Sequence, residues 1–268
     1  MAPAPAAPSG PAPAPSRPLV LVSNDDGHAS AGLRAMRQAL ADGADVVVLA
    51  PENEQSASSH SLSLHRPLRL RAVEPGVFAL DGTPADCTYV ALHAGTRVLP
   101  RRPDLVVSGI NHGMNLGQDA FYSGTVAAAR EAALRGIPAV ATSAHPSVDL
   151  HAAADLSARI ALDLLATHAA RGVLLNVNIP RAWNGELRAA RLGARIYEET
   201  VDFRSDPRGR EYLWLGGPGV RHERHAGTDT DAYDDGAASI TPLLLDLTDA
   251  TELAMTEALV TRVARPRS

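Results

Sequence analysis

The strongest constraint on this chain's fold is a series of short apolar segments, each running into a polar loop. They are Leu19-Val-Leu-Val22, Val46-Val-Val-Leu-Ala50, Leu105-Val-Val107, Ala139-Val-Ala141 and Val173-Leu-Leu-Asn-Val177. Strands that are apolar along their length, without polar alternation, are buried on both faces. Helical patterns lie between them: Leu33, Met36 and Leu40 recur at helical spacing, Thr125 to Arg135 is alanine-rich, and Leu156, Ile160 and Leu164 mark a further helix. Strands alternating with helices predict an α/β fold, a Rossmann-like, mostly parallel sheet flanked by helices. In such sheets ligands bind beyond the carboxyl ends of the strands, so the loops after the apolar segments are where chemistry is expected.

The rhythm holds from about 18 to 180, which reads as the catalytic core. Residues 1–17, alanine and proline with little to bury, read as a disordered tail, without the basic start and apolar stretch of a signal peptide or anchor. From Arg181 to about 238 glycine, arginine and aromatic residues replace the rhythm, and the segment reads as a hairpin arm, either folded back on its own domain or packed on another subunit. Ser239 to Leu247 reads as a strand and the residues after about Ala250 as a final helix, together 239–268.

Composition narrows the function. With 268 residues of which 45% are hydrophobic, the chain can bury one core of ordinary size. No apolar run is long enough to span a bilayer, so no membrane association is expected. The net charge of −5 argues against binding a nucleic-acid polymer. A single cysteine, Cys87, excludes an internal disulfide and suits a reducing, cytoplasmic setting. All 25 Lys and Arg residues are arginine, which excludes a P-loop lysine and a lysine Schiff base.

Three post-strand loops carry chemistry. In Ser23-Asn24-Asp25-Asp26-Gly27, two adjacent carboxylates resist joint ionisation unless a cation neutralises them, and hard divalent ions prefer oxygen ligands. An acidic turn or helix cap is the structural alternative. Ser108 to Gly117 is a glycine-rich loop whose Asn111 and Asn115 amides suit a metal or a phosphate, with His112 a candidate general acid. It is followed by Tyr122-Ser123-Gly124-Thr125 at a helix start, where free amides and hydroxyls would converge on an anion without any lysine. The loop after the second strand, Pro51 to Ser61, offers Ser56, Glu52 and Glu54, among which spacing does not choose. Asp81 to Cys87 reads as a turn into a helix capped by Thr83, and the acidic residues Asp229, Asp231, Asp234 and Asp235 as a solvated turn. His28 and His60 lie near the proposed loops without metal-ligand spacing.

Taken together and in order, Leu21-Val-Ser-Asn-Asp-Asp-Gly27, Ala50-Pro51 with Ser56 to Leu64, Gly82 to Cys87, Pro103 to Asn111, Tyr122 to Val126, and Thr228-Asp229 with Ser239-Ile-Thr-Pro242 resemble the SurE family of 5′/3′-nucleotidases. The resemblance implies one divalent metal per subunit, Mg²⁺ or Mn²⁺, held by Asp25, Asp26, Ser56 and Asn111, with Asp25 and Asp26 catalytic. It implies phosphate contacts from Asn115, Ser123, Gly124 and Thr125, to which Asn24 beside the acidic pair is added, and a homodimer or homotetramer built through the arm. The expected activity is hydrolysis of nucleoside 5′-monophosphates, and of 3′-monophosphates, by metal-activated water. The alternatives are an aspartyl-phosphate phosphatase and a nucleotide-binding regulatory module without turnover. Two departures stand out: Ser30-Ala31 replaces an alanine-proline before Gly32, and Ala57 replaces a glycine.

Overall fold

The computed structural model describes residues 17–167, 172–198, 200–216 and 219–264; of the tail read over 1–17, all but Arg17 lies outside them. In chain order the elements are β1 (Leu19–Ser23), α1 (Ala31–Ala41), β2 (Asp45–Pro51), β3 (Leu70–Glu74), β4 (Val77–Leu80), α2 (Pro84–His93), β5 (Leu105–His112), α3 (Asp119–Tyr122), α4 (Gly124–Leu134), β6 (Ala139–Ala144), α5 (Leu150–Thr167), β7 (Leu174–Ile179), β8 (Leu187–Ala189), β9 (Ala194–Tyr197), β10 (Val201–Ser205), β11 (Glu211–Leu215), β12 (Val220–Glu223), α6 (Asp229–Asp234), β13 (Ala238–Pro242) and α7 (Leu253–Val263).

The mixed α/β fold expected from the pattern is what forms. A nine-stranded sheet runs in the order β3-β4-β2-β1-β5-β6-β7-β13-β8. From β4 through β7 every neighbouring pair is parallel. Every residue of β1 is buried, as a strand with helices over both faces must be. Two apolar layers cover the sheet. Met36 and Leu40 of α1 and Leu156 and Leu164 of α5 meet Val20, Val48 and Val107 on one side. Cys87 and Ala91 of α2 and Val126, Ala129 and Ala132 of α4 meet Leu21, Leu49 and Val106 on the other.

Four expectations change in detail. The glycine-rich stretch begins inside β5, which runs on through Gly109 to His112, so Asn111 is held by sheet pairing to Ser143. The segment 181–238 divides: β8 joins the main sheet beside β13, leaving the β10–β11 hairpin and the β9–β12 pair outside it. The strand expected over Ser239 to Leu247 ends at Pro242, which has no N–H to continue a ladder. Asp229 is not in a solvated turn; it opens α6, capped by Thr228, and is fully buried. The helix expected after Thr83 forms as read, with Thr83 capping Asp86 and Asp86 returning a bond to Thr83. The residues before it, β3 and β4, had no reading in the sequence. β3 is an exposed antiparallel edge strand, without the apolar continuity that marks its neighbours.

Candidate active site

At the carboxyl ends of β1 and β5 lies a cavity of about 560 Å³. Asp25 and Asp26 reach it from the end of β1, Glu54 and Ser56 from the loop after β2, and Asn111 from the end of β5. Ser123, where α4 begins, faces it as well. Parallel strands bring these loops together because each enters the sheet from the same side. Backbone bonds fix their spacing: Gln55 N–H donates to Asp25 O at 2.8 Å, and Ser59 N–H to Tyr122 O at 2.9 Å.

The acidic pair is held in a way that raises its affinity for protons. Asp25 is almost fully buried, and loss of solvent pushes its carboxyl up to about 6, with the Asp26 charge adding to the rise and the Thr125 hydroxyl bond opposing it. Burial likewise holds Asp26 above the ordinary carboxylate range, against the His112 N–H that donates to its Oδ2 at 3.3 Å. A buried carboxylate this poorly compensated is one that a cation would relieve.

The donor set facing the cavity consists of oxygens. Among the described residues no group of three or more His, Cys, Asp and Glu side chains is placed so that those side chains by themselves could hold a metal ion. Instead two carboxylates stand with neutral oxygens: Asn111 uses its Nδ2 on Gly113 O at 3.0 Å, which leaves Oδ1 as the free end, and Ser56 adds a hydroxyl, here donated to Glu54 at 2.6 Å. That set fits a hard divalent ion that keeps part of its hydration shell. Glu54 lines the cavity too, whereas Glu52 turns away to Arg71 at 3.2 Å.

The expected phosphate contacts divide into those that face the cavity and those that build it. Ser123 lines the cavity and caps α4, accepting the Val126 N–H at 3.0 Å, so its own proton is free to donate. Thr125 is different from what was expected: it is fully buried and its hydroxyl is given to Asp25 Oδ1, which makes it a support of the acidic pair. Gly124 contributes closeness. A Cβ there would stand 2.8 Å from Asp25 Cβ and 2.9 Å from Ser58 Oγ, so only glycine lets α4 begin against the carboxylate. Asn115 lines the cavity, but its Nδ2 donates to Ser143 Oγ at 2.8 Å. Its peptide is clamped from β7, the N–H by Asn178 Oδ1 at 2.8 Å and the carbonyl by Asn176 and Asn178 Nδ2 at 2.8 and 3.1 Å.

Asn24 departs furthest from its expected role as a substrate contact. It is fully buried, and its Nδ2 donates to Gly27 O at 3.0 Å and to Ser30 Oγ at 2.8 Å, fastening the loop that carries the acidic pair. Ser30 is the residue that replaces an alanine in the family's pattern, and here it also caps α1 by accepting the Leu33 N–H. Of the three histidines near these loops, only His112 lines the cavity. His60 is paired with the buried Glu131 at 2.9 Å, and His28 lies beside Arg34 and Val73 in a separate hollow.

Three lining residues had no site reading in the sequence: Asp119 and Arg195, and Tyr197, which was read only as one of the aromatics of the arm. Arg195 and Tyr197 alternate on β9, so both side chains leave the same face of the strand. Arg195 pairs with Asp119 through Nη1, which also donates to Met114 O at 3.3 Å, and Tyr197 donates to both Asp119 oxygens at 2.7 Å. The Arg195 guanidinium lies over the Tyr197 ring, 5.4 Å from its centroid. Burial and the Asp119 bond push the Tyr197 phenol up to about 12, so it stays protonated and donating. Asp229 seats β9 here: its Oδ1 accepts the Gly193 N–H at 2.7 Å and its Oδ2 the Gly117 N–H at 2.9 Å. Gly117 has φ +54°, and a Cβ there would meet Gly193 O at 2.6 Å, so the two loops touch backbone to backbone. An R-x-Y pair in a short strand is the one trace of this in the sequence.

Comparison with known proteins agrees with this geometry. A family model described as survival protein SurE matches residues 20–199. A protein named 5′-nucleotidase SurE from Sorangium cellulosum (strain So ce56) is 64% identical over 238 residues, covering 86% of this chain and 91% of the relative. Another of that name from Anaeromyxobacter dehalogenans (strain 2CP-C) is 51% identical over 231 residues, covering 85% and 90%. The crystal structure of a SurE protein from Aquifex aeolicus superposes with a TM-score of 0.77 at 36% identity, covering 90% of this chain and 99% of that one.

Proposed function

The chain belongs to the SurE family, and from that premise we propose that it is a 5′-nucleotidase, a metal-dependent phosphomonoesterase that hydrolyses nucleoside monophosphates, the 3′ isomers included. The observation that carries this reading is the buried, proton-avid Asp25 beside Asp26, facing the Ser123 opening of α4 across one cavity.

Asp25, Asp26, Asn111 and Ser56 would hold one divalent ion per subunit, Mg²⁺ or Mn²⁺. When bound, that ion polarises a phosphoryl oxygen and lowers the pKa of water from about 15.7 toward neutrality. The rest is done by the chain. The first amides of α4 and the Ser123 hydroxyl donate to the equatorial phosphate oxygens, where one such donor is typically worth about 3 kcal/mol in the transition state. The α4 dipole adds favourable potential at that end. Thr125 keeps Asp25 oriented, and the Asn176–Asn178 clamp keeps the Asn115 peptide in place. His112, exposed at the mouth of the cavity, is the candidate acid for the leaving alkoxide.

Two further parts of the proposal concern setting and assembly. No helix among the described residues is long and apolar enough to cross a membrane; with a lone buried thiol at Cys87, we place the enzyme in the cytoplasm. We place it in a homodimer or homotetramer. A two-stranded ribbon is marginal by itself, yet β10–β11 exposes Phe203 and Trp214, and α7 exposes Leu253, Met255 and Val260. Light scattering should find more than one chain per particle.

The decisive measurement is phosphate release from a panel of nucleoside 5′- and 3′-monophosphates with Mg²⁺ or Mn²⁺, with and without chelator. Turnover that disappears with chelator, and that Asp26→Asn lowers by at least about 100-fold, is expected. Full metal-dependent turnover in Asp26→Asn would overturn the assignment.

A further inference from the structure

The cavity is far larger than a phosphate, and its lining holds two groups of different chemistry. Asp25, Asp26 and Ser123 make up one; Met114, Asp119, Arg195 and Tyr197, joined through the Asp119 carboxylate and the Met114 carbonyl, make up the other. The second group is not needed to hold a phosphate. It has an arginine that donates from Nη1, a phenol held protonated, and a tyrosine that is 39% exposed.

This arrangement is built for a flat, polar ligand group. The guanidinium is fixed by Asp119 through Nη1 and lies over the Tyr197 ring, with its Nε buried, so its plane is held by neighbours rather than free to swing. The Asp119 carboxylate compensates the Arg195 charge, with both side chains largely buried. A compensated arginine is a poor competitor for phosphate but a good hydrogen-bond donor and stacking plane for neutral heteroaromatic groups. The exposed Tyr122 beside Ser123 adds a second aromatic surface along the same cavity.

Resting on the nucleotidase reading, we propose that Arg195 and Tyr197, set by Asp119, form the nucleoside end of the site and determine that the phosphate ester accepted is one carried by a nucleoside. Because both residues come from β9 and are seated by Asp229, substrate selection depends on a segment outside the main sheet.

Equilibrium titration of the full-length protein in chelator, with adenosine 5′-monophosphate and with inorganic phosphate, tests this without turnover. Arg195→Gln should lower the affinity ratio of nucleotide to phosphate by roughly tenfold, the size of one well-placed polar contact. Tyr197→Leu should lower the same ratio, and Tyr197→Phe, which keeps the ring, should lower it less. A ratio unchanged in Arg195→Gln and Tyr197→Leu, with circular dichroism unaltered, overturns the proposal; so does an equal loss toward both ligands. If Arg195→Gln does not fold, the Tyr197 pair decides. Turnover by the unmodified protein is scored separately: intact nucleotide selectivity without hydrolysis would sink the nucleotidase reading and leave this one standing.

Discussion

Asp25 shows how one side chain couples stability to function. Its carboxyl moves from 3.8 to about 6 on folding, roughly two units, or about 3 kcal/mol at 1.36 kcal/mol per unit. The folded value is raised, so the contribution is fully present below pH 3.8 and is lost as pH rises through about 6. In chelator, the melting temperature should therefore fall between pH 4 and pH 7, and Asp25→Asn should flatten that fall and melt higher at pH 7. A pH scan of thermal unfolding checks both, and an unaltered slope in the variant counts against the burial argument. A smaller strain sits at Ala57, whose φ of +56° is left-handed backbone. A side chain there costs about 1–2 kcal/mol, partly offset by the greater freedom glycine loses on folding. Ala57→Gly should raise unfolding free energy by up to about 1 kcal/mol in urea titration, and it would restore the glycine of the family's pattern.

Helix α4 joins fold and chemistry at the level of an element. Its alanine-rich body buries against the sheet, and its first turn serves the cavity. For Gly124→Ala two effects compete. Helix propensity favours alanine by about 1 kcal/mol, while the added methyl would enter the space held by Asp25 Cβ and Ser58 Oγ. Overpacking of that kind costs about 1–3 kcal/mol, so the clash wins. The variant should lose stability by about 1 kcal/mol or more, and phosphate release should drop by at least about tenfold. A more stable, fully active Gly124→Ala protein would show that Asp25 is not held against α4.

At the scale of the whole molecule, Asp229 joins parts that are remote in sequence, the loop before α3 and the loop before β9. Asp229→Ala would leave the Gly117 and Gly193 amides without their acceptor, a loss of about 2–4 kcal/mol. It should lower the melting temperature and expose residues 190–198 to proteolysis, with nucleotide affinity falling more than phosphate affinity; protection unchanged from the parent would refute the staple. The sequence by itself determined the parallel strands β1, β2, β5, β6 and β7, the helices on both faces, and the placing of Asp25, Asp26, Ser56, Asn111 and Ser123 at one rim, because parallel strands deliver their loops to the same edge. It also marked the α2 cap, whose partners are three residues apart. The same local logic could not show where Thr125 and Asn24 spend their polar groups: in the folded chain the Thr125 hydroxyl is given to Asp25 and the Asn24 amide to Ser30. Only the tertiary structure decided the Asp119, Arg195 and Tyr197 part of the cavity, since Asp119 meets Arg195 and Tyr197 across 76 and 78 residues. It also turned Asp229 inward. The physical reason is that a motif records what lies within a few residues of chain, while a carboxylate's partners are set by what the folded backbone brings within about 3 Å of it.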